Sequence, residues 1–318
     1  MKQFLKCGAL SACILAALPA AGGQQPTFRA GSDIVRVFVT VTDKDGRLVT
    51  KLERDNFEVR DDGKPQPITQ FDNSPQPVRL VVMLDVSGSM AGNLSLLRGS
   101  AGQLFLRMAA EDVARVGTFG REITISPSFT RESAELRAAL PSRIDPEAPT
   151  PLWRAIDQAM DAFGDGDDRR KVILVLSDGK DSGATGPLSF GKRVASQAEV
   201  IDRARRDDVM IYAVGMRSRG RQQMPGGGPP DLRSMMLADM PDAGLARVAE
   251  ESGGGYIEIR GGDDLGAAFE GVLDELHTQY LLAFAPPKRD GKVHSINVRA
   301  NQAGTKTRSR KSYVAPKE

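Results

Sequence analysis

Residues 33–42 alternate strictly, with Val35, Val37, Val39 and Val41 on one face of an extended chain and Arg36, Phe38, Thr40 and Thr42 on the other. A period of two predicts a half-buried strand. Asp43-Lys44-Asp45-Gly46 then reads as a turn, Phe57 and Val59 as a second short strand, and Asp61-Asp62-Gly63 with Pro65 and Pro67 as a further turn. Residues 27–72 are therefore expected to form a small all-β unit.

The pattern changes at Arg79. Residues 80–84, 172–176 and 209–214 are continuous apolar runs, which suit strands covered on both faces. Helical stretches lie around 93–109, 151–163 and 194–206, so strands and helices alternate as in a doubly wound, mostly parallel α/β sheet. A last helix is marked by Leu265, Ala268, Phe269, Val272, Leu273 and Leu276 at i, i+3, i+4, i+7 spacing.

After Gln279 the β pattern returns, in 280–284, in 293–300 with His294, Ile296 and Val298 alternating, and in 307–314. Each β end is short for a core of its own, because small domains bury too little surface. The economical arrangement is one small β-sandwich built from both ends with the α/β domain inserted. That divides the chain into 1–23, 24–75, 76–279 and 280–318.

The first of these segments is read as an address. Lys2 and Lys6 precede an apolar run over 7–17, then Pro19 and the small residues Ala20 to Gly23, the pattern of a secretory signal peptide. The run is shorter than the roughly 20 apolar residues a membrane span needs. Leu10-Ser11-Ala12-Cys13 resembles a lipoprotein processing site, but cleavage there would leave a very short apolar core. The expected location is therefore periplasmic or extracellular.

Composition narrows the chemistry. Cys7 and Cys13 are the two cysteines, so a chain processed after residue 23 has no thiol for a disulfide, a zinc thiolate or a nucleophile. His277 and His294 each stand among residues unsuited to ligation, which argues against a multi-histidine metal site or a Ser-His-Asp hydrolase. Without Lys2 and Lys6 the basic count falls from 43 to 41, equal to the acidic count. A neutral chain lacks the basic excess of non-specific nucleic-acid binding, and Lys306, Arg308 and Arg310 read as the solvated face of a strand.

Side-chain oxygens remain. Asp85, Ser87 and Ser89 follow directly on the apolar run 80–84, Ser177-Asp178-Gly179 follows on 172–176, and Thr150 precedes the helix at Pro151. In an open α/β sheet the carboxyl ends of the strands are where ligands bind. A few carboxylates with neutral hydroxyls form a hard-oxygen set suited to magnesium, calcium or manganese. Thr150 before Pro151 also fits a helix N-cap followed by proline at the first helical position. Asp165, Asp167 and Asp168 lack the glycine and distal glutamate of a calcium loop and read as a solvated turn, and Asp181 also reads as a turn residue.

The set Asp85-x-Ser87-x-Ser89, Thr150 and Asp178, in that order over about 76–276, resembles the metal-ion-dependent adhesion site of von Willebrand factor type A domains. The flanking Val35-x-Val37-x-Val39-x-Val41-x-Asp43, Phe57-x-Val59-x-Asp61-Asp62-Gly63, Gln279-Tyr280 and Arg310-Lys311-Ser312-Tyr313 are similar to the acidobacterial-type members among secreted bacterial proteins. The resemblance implies that Ser87 and Ser89 bind a divalent cation directly. It implies that Thr150, Asp85 and Asp178 bind it directly or through water, and that an open position accepts a carboxylate from a protein partner. Departing from related loops, no glycine stands beside Thr150.

The competing enzyme reading is a haloacid-dehalogenase-type phosphatase, in which Asp85 would be the nucleophile. It needs a second aspartate two residues on, where Ser87 stands and cannot serve as an acid. No Walker A run or usable Gly-x-Ser-x-Gly is present. A ligand-free structural scaffold is the third reading. Residues 217–240 combine Arg217, Arg219 and Arg221 with a Gly/Pro run and Met235-Met236, and form either a partner-recognition loop or a plain insertion. Shortening residues 218–234 is expected to weaken partner capture without altering cation affinity, and unchanged capture in a pull-down would assign them to a plain insertion.

Overall fold

The computed structural model describes residues 34–164, 169–178, 181–182, 195–216, 242–260 and 264–317. Four strands come first: β1 (Val35–Thr42), β2 (Phe57–Asp61), β3 (Lys64–Gln66) and β4 (Gln70–Asp72). The central stretch runs β5 (Val78–Asp85), α1 (Leu94–Arg107), β6 (Val113–Phe119), β7 (Ile123–Ile125), α2 (Ser133–Ala138), α3 (Leu152–Asp161) and β8 (Arg170–Ser177). It continues through α4 (Gln197–Asp207), β9 (Val209–Met216), α5 (Ala243–Ser252), β10 (Tyr256–Ile259) and α6 (Leu265–Thr278). The last strands are β11 (Tyr280–Phe284), β12 (Val293–Ala300), β13 (Lys306–Arg308) and β14 (Ser312–Val314).

The apolar runs are strands covered on both faces. The central six-stranded sheet has the order β10-β9-β8-β5-β6-β7, parallel except for β7. On β5, Val78, Leu80, Val82 and Leu84 pack with α1 and α6, whereas Val81 and Met83 pack with α3, α4 and α5. β8 and β9 divide in the same way: Leu174 and Tyr212 lie on the first side, Ile173 and Ile211 on the second. Because strand side chains alternate, two apolar layers need a run with no polar interruption. The β6 and β10 strands escaped the sequence reading because Arg115 and Gly117 interrupt one and the other is only four residues long.

Both chain ends build the two remaining antiparallel sheets. One has the order β13-β1-β11-β4 and the other β14-β12-β2-β3. In the first, β1 is flanked by two strands from the other end of the chain, with Val37 opposite Leu282 and Val41 opposite Thr307. In the second, Val298 on β12 lies opposite Val59 on β2. Val35, Val37, Val39, Val41, Phe57, Val59, Leu282, Phe284, Ile296 and Val298 share one core between the sheets.

Three expectations change here. The stretch 307–314 is not one strand, because β13 pairs with β1 in one sheet and β14 with β12 in the other. The crossing between them is pinned to the central domain, where Arg310 contacts Asp208 and Lys311 N donates to Glu251 O, and to β1, where Arg310 donates to the Arg36 carbonyl. Arg308 and Arg310 are accordingly not a solvated face: Arg308 pairs with Glu275, and Arg310 with Asp208. The second face of β1 is also covered in part, since Phe38 packs against the central core and Thr40 is buried.

Ending the chain after Gln279 would remove β11 to β14 and strip β1 of both neighbours, leaving an apolar face and two open edges. The truncated chain is expected to aggregate, or to lose amide protection over Val35–Thr42 in hydrogen exchange. Full protection there would mean that the front strands fold without the back ones.

Candidate metal centre

The end of β5 and the end of β8 lie side by side, with Leu84 opposite Leu176. The chain leaves β5 toward β6 on one side and later returns to β8 on the other, so this pair of strand ends is the topological switch point of the sheet. Alternation puts Asp85 and Ser177 on the same side as Val81, Met83, Ile173 and Val175, the side covered by α3. Thr150, two residues before α3, sits in the loop that enters that side.

Every sequence-named residue except Thr150 enters one hydrogen-bonded cluster. Ser87 N donates to Asp85 Oδ1 (2.8 Å), and Ser177 Oγ donates to Asp85 Oδ2 (2.5 Å). Ser87 Oγ lies 3.1 Å from Ser89 Oγ, which donates to Asp178 Oδ1 at 2.7 Å. Asp85, Ser87, Thr150 and Asp178 are buried and Ser89 is exposed, so the cluster opens at Ser89. Gly88 allows this geometry: its N donates to Ala148 O, and a Cβ built on it would stand 2.0 Å from Pro146 O. A glycine at 88 thus lets the loop carrying Thr150 press against the loop carrying both serines.

Thr150 is held by its backbone. Thr150 N donates to Ser182 Oγ at 2.9 Å, and Ser182 N donates back to Thr150 O at 3.0 Å. The N-cap reading of Thr150 shifts by one residue: Pro151, with ψ 62°, is outside helical geometry and takes the cap position, so the helix begins at Leu152. Asp181 serves the helix from outside, accepting from Trp153 N at 3.4 Å, while its own N donates to Asp242 Oδ2. Gly179, Asp165, Asp167, Asp168 and the stretch 217–240 lie outside the described residues.

Burial sets the electrostatics. It pushes the Asp85 carboxyl up to about 6, against the hydrogen bonds from Ser177 and Ser87 that favour its charge, and the nearby Asp178 adds to the rise. Burial also raises Asp178, opposed by the Ser89 hydroxyl. Asp178 Oδ2 is buried and has no hydrogen-bond partner among the described residues. A buried carboxylate with one unpartnered oxygen, whose other oxygen accepts from the Ser89 hydroxyl next to Ser87, is a donor set that fits a hard divalent cation.

A second donor cluster lies elsewhere, and it corrects the expectation that both histidines stand alone. Single ligand atoms of Asp61, Asp62 and His294 lie within 4.8 Å of one another. His277 Nε2 is 2.8 Å from Asp112 Oδ2. Both acidic partners are distant in sequence, by 233 residues for Asp61 and 165 for Asp112, so no local spacing could show them. The signal that was legible is Asp290, four residues before His294 and 3.2 Å from its Nε2.

The raised Asp85 carboxyl gives a pH signature. The folded chain holds this proton more tightly than an unfolded one, whose carboxyl titrates at 3.8, so the contribution is complete below 3.8 and is lost as pH rises toward about 6. In chelator, the melting temperature is expected to fall across that window relative to an Asp85→Asn chain, and excess Mg²⁺ should remove the difference. A flat difference in chelator would show that Asp85 stays ionised without help.

The von Willebrand factor type A domain model matches residues 80–242. No curated protein sequence matches the chain. Among solved structures, an aerotolerance-related membrane protein from Bacteroides fragilis is 16% identical with a TM-score of 0.45, covering 63% of this chain and 98% of that one. BatB from Bacteroides thetaiotaomicron gives 16% and 0.45, with 63% and 97% covered. Proximal thread matrix protein 1 of the mussel byssus, with zinc in its MIDAS motif, gives 16% and 0.44, with 69% and 50% covered. Residues 80–242 are half of the chain and include β5, β8 and the cluster at their ends, and by that match the chain belongs to the von Willebrand factor type A domain family.

Proposed function

We propose that this chain is an exported binding module in which Asp85, Ser87, Ser89, Thr150 and Asp178 hold a divalent cation that receives an acidic side chain of a protein partner. The observation that carries the reading is the buried Asp178 carboxylate, whose Oδ1 accepts from Ser89 Oγ while its Oδ2 has no partner among the described residues. Magnesium suits the hydroxyl-rich set, with calcium or manganese as alternatives from the same chemistry.

The roles follow from the bonds each group already makes. Asp85 has both oxygens engaged, by Ser87 N and Ser177 Oγ, so it supplies fixed negative charge and orientation. Ser87 and Ser89 present adjacent hydroxyl oxygens that bind the ion as neutral donors. Asp178 gives its free oxygen, and Thr150 stands on a loop fixed through Ser182 and Gly88. When bound, the cation would supply an electrophilic position, because only one carboxylate, Asp178, has a free oxygen for it and the remaining donors are neutral hydroxyls. The exposed flank at Ser89 is where a partner carboxylate reaches it.

Export rests on the leader pattern of residues 1–23, which lie outside the described residues. Among the described residues no helix is long and apolar enough to cross a membrane. A binding role is favoured over hydrolysis because the position two residues after Asp85 holds the Ser87 hydroxyl, too weak an acid to protonate a leaving group near neutral pH.

Calorimetry with Mg²⁺ tests the site: the full chain is expected to bind, Asp85→Ala to lose binding, and Asp178→Asn to bind at least tenfold more weakly, all three with an unchanged circular dichroism spectrum. Equal affinity in all three would remove these residues from the site. Affinity capture from the native envelope in Mg²⁺ and again in chelator should yield a partner only in the first. Capture that ignores the chelator would sink the carboxylate-to-metal mechanism.

A further inference from the structure

The buried side chains of β12 are His294, Ile296 and Val298, and the polar one stands at the end of the sandwich core. Asp62 and Gly63 both have positive φ, 46° and 78°, and form the tight turn between β2 and β3 that brings Asp61 and Asp62 to this end. His294 Nδ1 is 3.1 Å from Asp61 Oδ1 and 3.2 Å from Asp62 Oδ2. Its other ring nitrogen faces Asp290 Oδ1 at 3.2 Å, and Tyr313 Oη donates to Asp61 Oδ2 at 3.3 Å.

Charge and geometry agree here. Asp61 is 1% exposed and His294 3%, so one buried carboxylate faces one buried imidazole, and the exposed carboxylates of Asp62 and Asp290 add negative charge at the rim of the pair. Lys288 and Lys292, whose charges reach Asp62 and Asp290, are exposed, and Arg310 is engaged by Asp208. A doubly charged cation held by Asp61, Asp62 and the neutral ring balances both carboxylates without the ring proton. Donor atoms about 2.1 Å from one ion stand about 3.0–3.4 Å apart in octahedral or tetrahedral arrangements. The two nitrogen–oxygen separations, 3.1 and 3.2 Å, fall in that range.

We infer that Asp61, Asp62 and His294 form a second metal site, for a divalent cation of the zinc class, that fastens the β2–β3 turn to β12. One imidazole with two carboxylates selects a borderline metal over magnesium, unlike the hydroxyl-rich cluster at the end of β5. Asp290 acts as a positioning residue: by accepting from Nε2 it leaves Nδ1 with its lone pair toward the carboxylates. The site joins residues 233 apart in sequence, so occupancy closes the sandwich between the first and last parts of the chain.

Zn²⁺ titrated by calorimetry into the full chain, with Mg²⁺ in excess, tests the site apart from the first cluster. One Zn²⁺ per chain is expected, with a rise in melting temperature. His294→Gln should abolish this binding and Asp290→Asn weaken it about tenfold to a hundredfold. Asp62→Asn provides the fold-safe variant, because asparagine tolerates positive φ, and should also weaken binding while Mg²⁺ affinity stays unchanged. No Zn²⁺ uptake in excess Mg²⁺, or uptake unaltered by both His294→Gln and Asp62→Asn, would overturn the assignment and leave the cluster as a proton-held ion pair.

Discussion

Two carboxylates held out of water at one strand-end crossing are the constraint around which the central domain is arranged. Asp85 and Asp178 are both buried, and Ser87 and Ser89 link one to the other. An isolated ionised carboxylate is expensive to bury, and two near each other repel. The surroundings lower the cost for Asp85 with an amide and a hydroxyl, yet its carboxyl is still raised to about 6. The same surroundings leave one oxygen of Asp178 unsatisfied. A fold that places such groups at the switch point of a parallel sheet accepts local strain where a cation would relieve it.

The sandwich is not a passive appendage to that sheet. Helix α6 ends at Thr278, and after the single residue Gln279 the chain is already in β11. Gln279 Nε2 donates to Thr40 Oγ1 at 2.8 Å and to Tyr212 Oη at 3.3 Å, which ties a β1 residue to a β9 residue through the helix end. Thr40 Oγ1 also donates to Glu275 Oε1 at 2.7 Å, and Glu275 is contacted by Tyr212 and Arg308. Arg170, at the start of β8, stacks on Phe38 with 4.4 Å to the ring centre and donates to Leu276 O, while burial lowers its guanidinium to about 10. A buried polar network whose members answer one another fixes a single docking geometry, because any shift would leave several of them unpaired.

The sequence carried the architecture because both of its periodicities were undiluted. Val35 to Val41 alternate since one face meets the sandwich core, and residues 80–84 do not since helices cover both faces. The Asp85, Ser87, Ser89 and Asp178 cluster was legible for a related reason: strand ends locate its members before any side chain is placed. What stayed hidden depends on pairing across long separations. Thr307 and Tyr313 look like one strand until β1 and β12 claim them separately. Ser177 anchors Asp85, but in the sequence it is only the polar residue that ends an apolar run. His294 gave no sign of Asp61, whose strand lies at the opposite end of the chain.

The direction of approach to the first cluster follows from which of its members see solvent. Asp85, Ser87, Thr150 and Asp178 are shut in by the sheet, by α3 and by the loop that Gly88 allows to close over them, and Ser89 alone of the five is exposed. Among the described residues, the open flank of the cluster is at Ser89, beside the loop around Pro146. The charges on that loop are already partly spent, since Asp145 is paired with Arg121 at 2.7 Å, which leaves Arg143 and Glu147 as exposed charges of opposite sign. Among the described residues this loop carries no excess of either sign and adds little long-range steering, so under the proposed function discrimination would fall to the metal-directed carboxylate and to short-range fit around it. A donor set that is buried except at Ser89 among the described residues would therefore select its ligand by geometry more than by the charge of this loop.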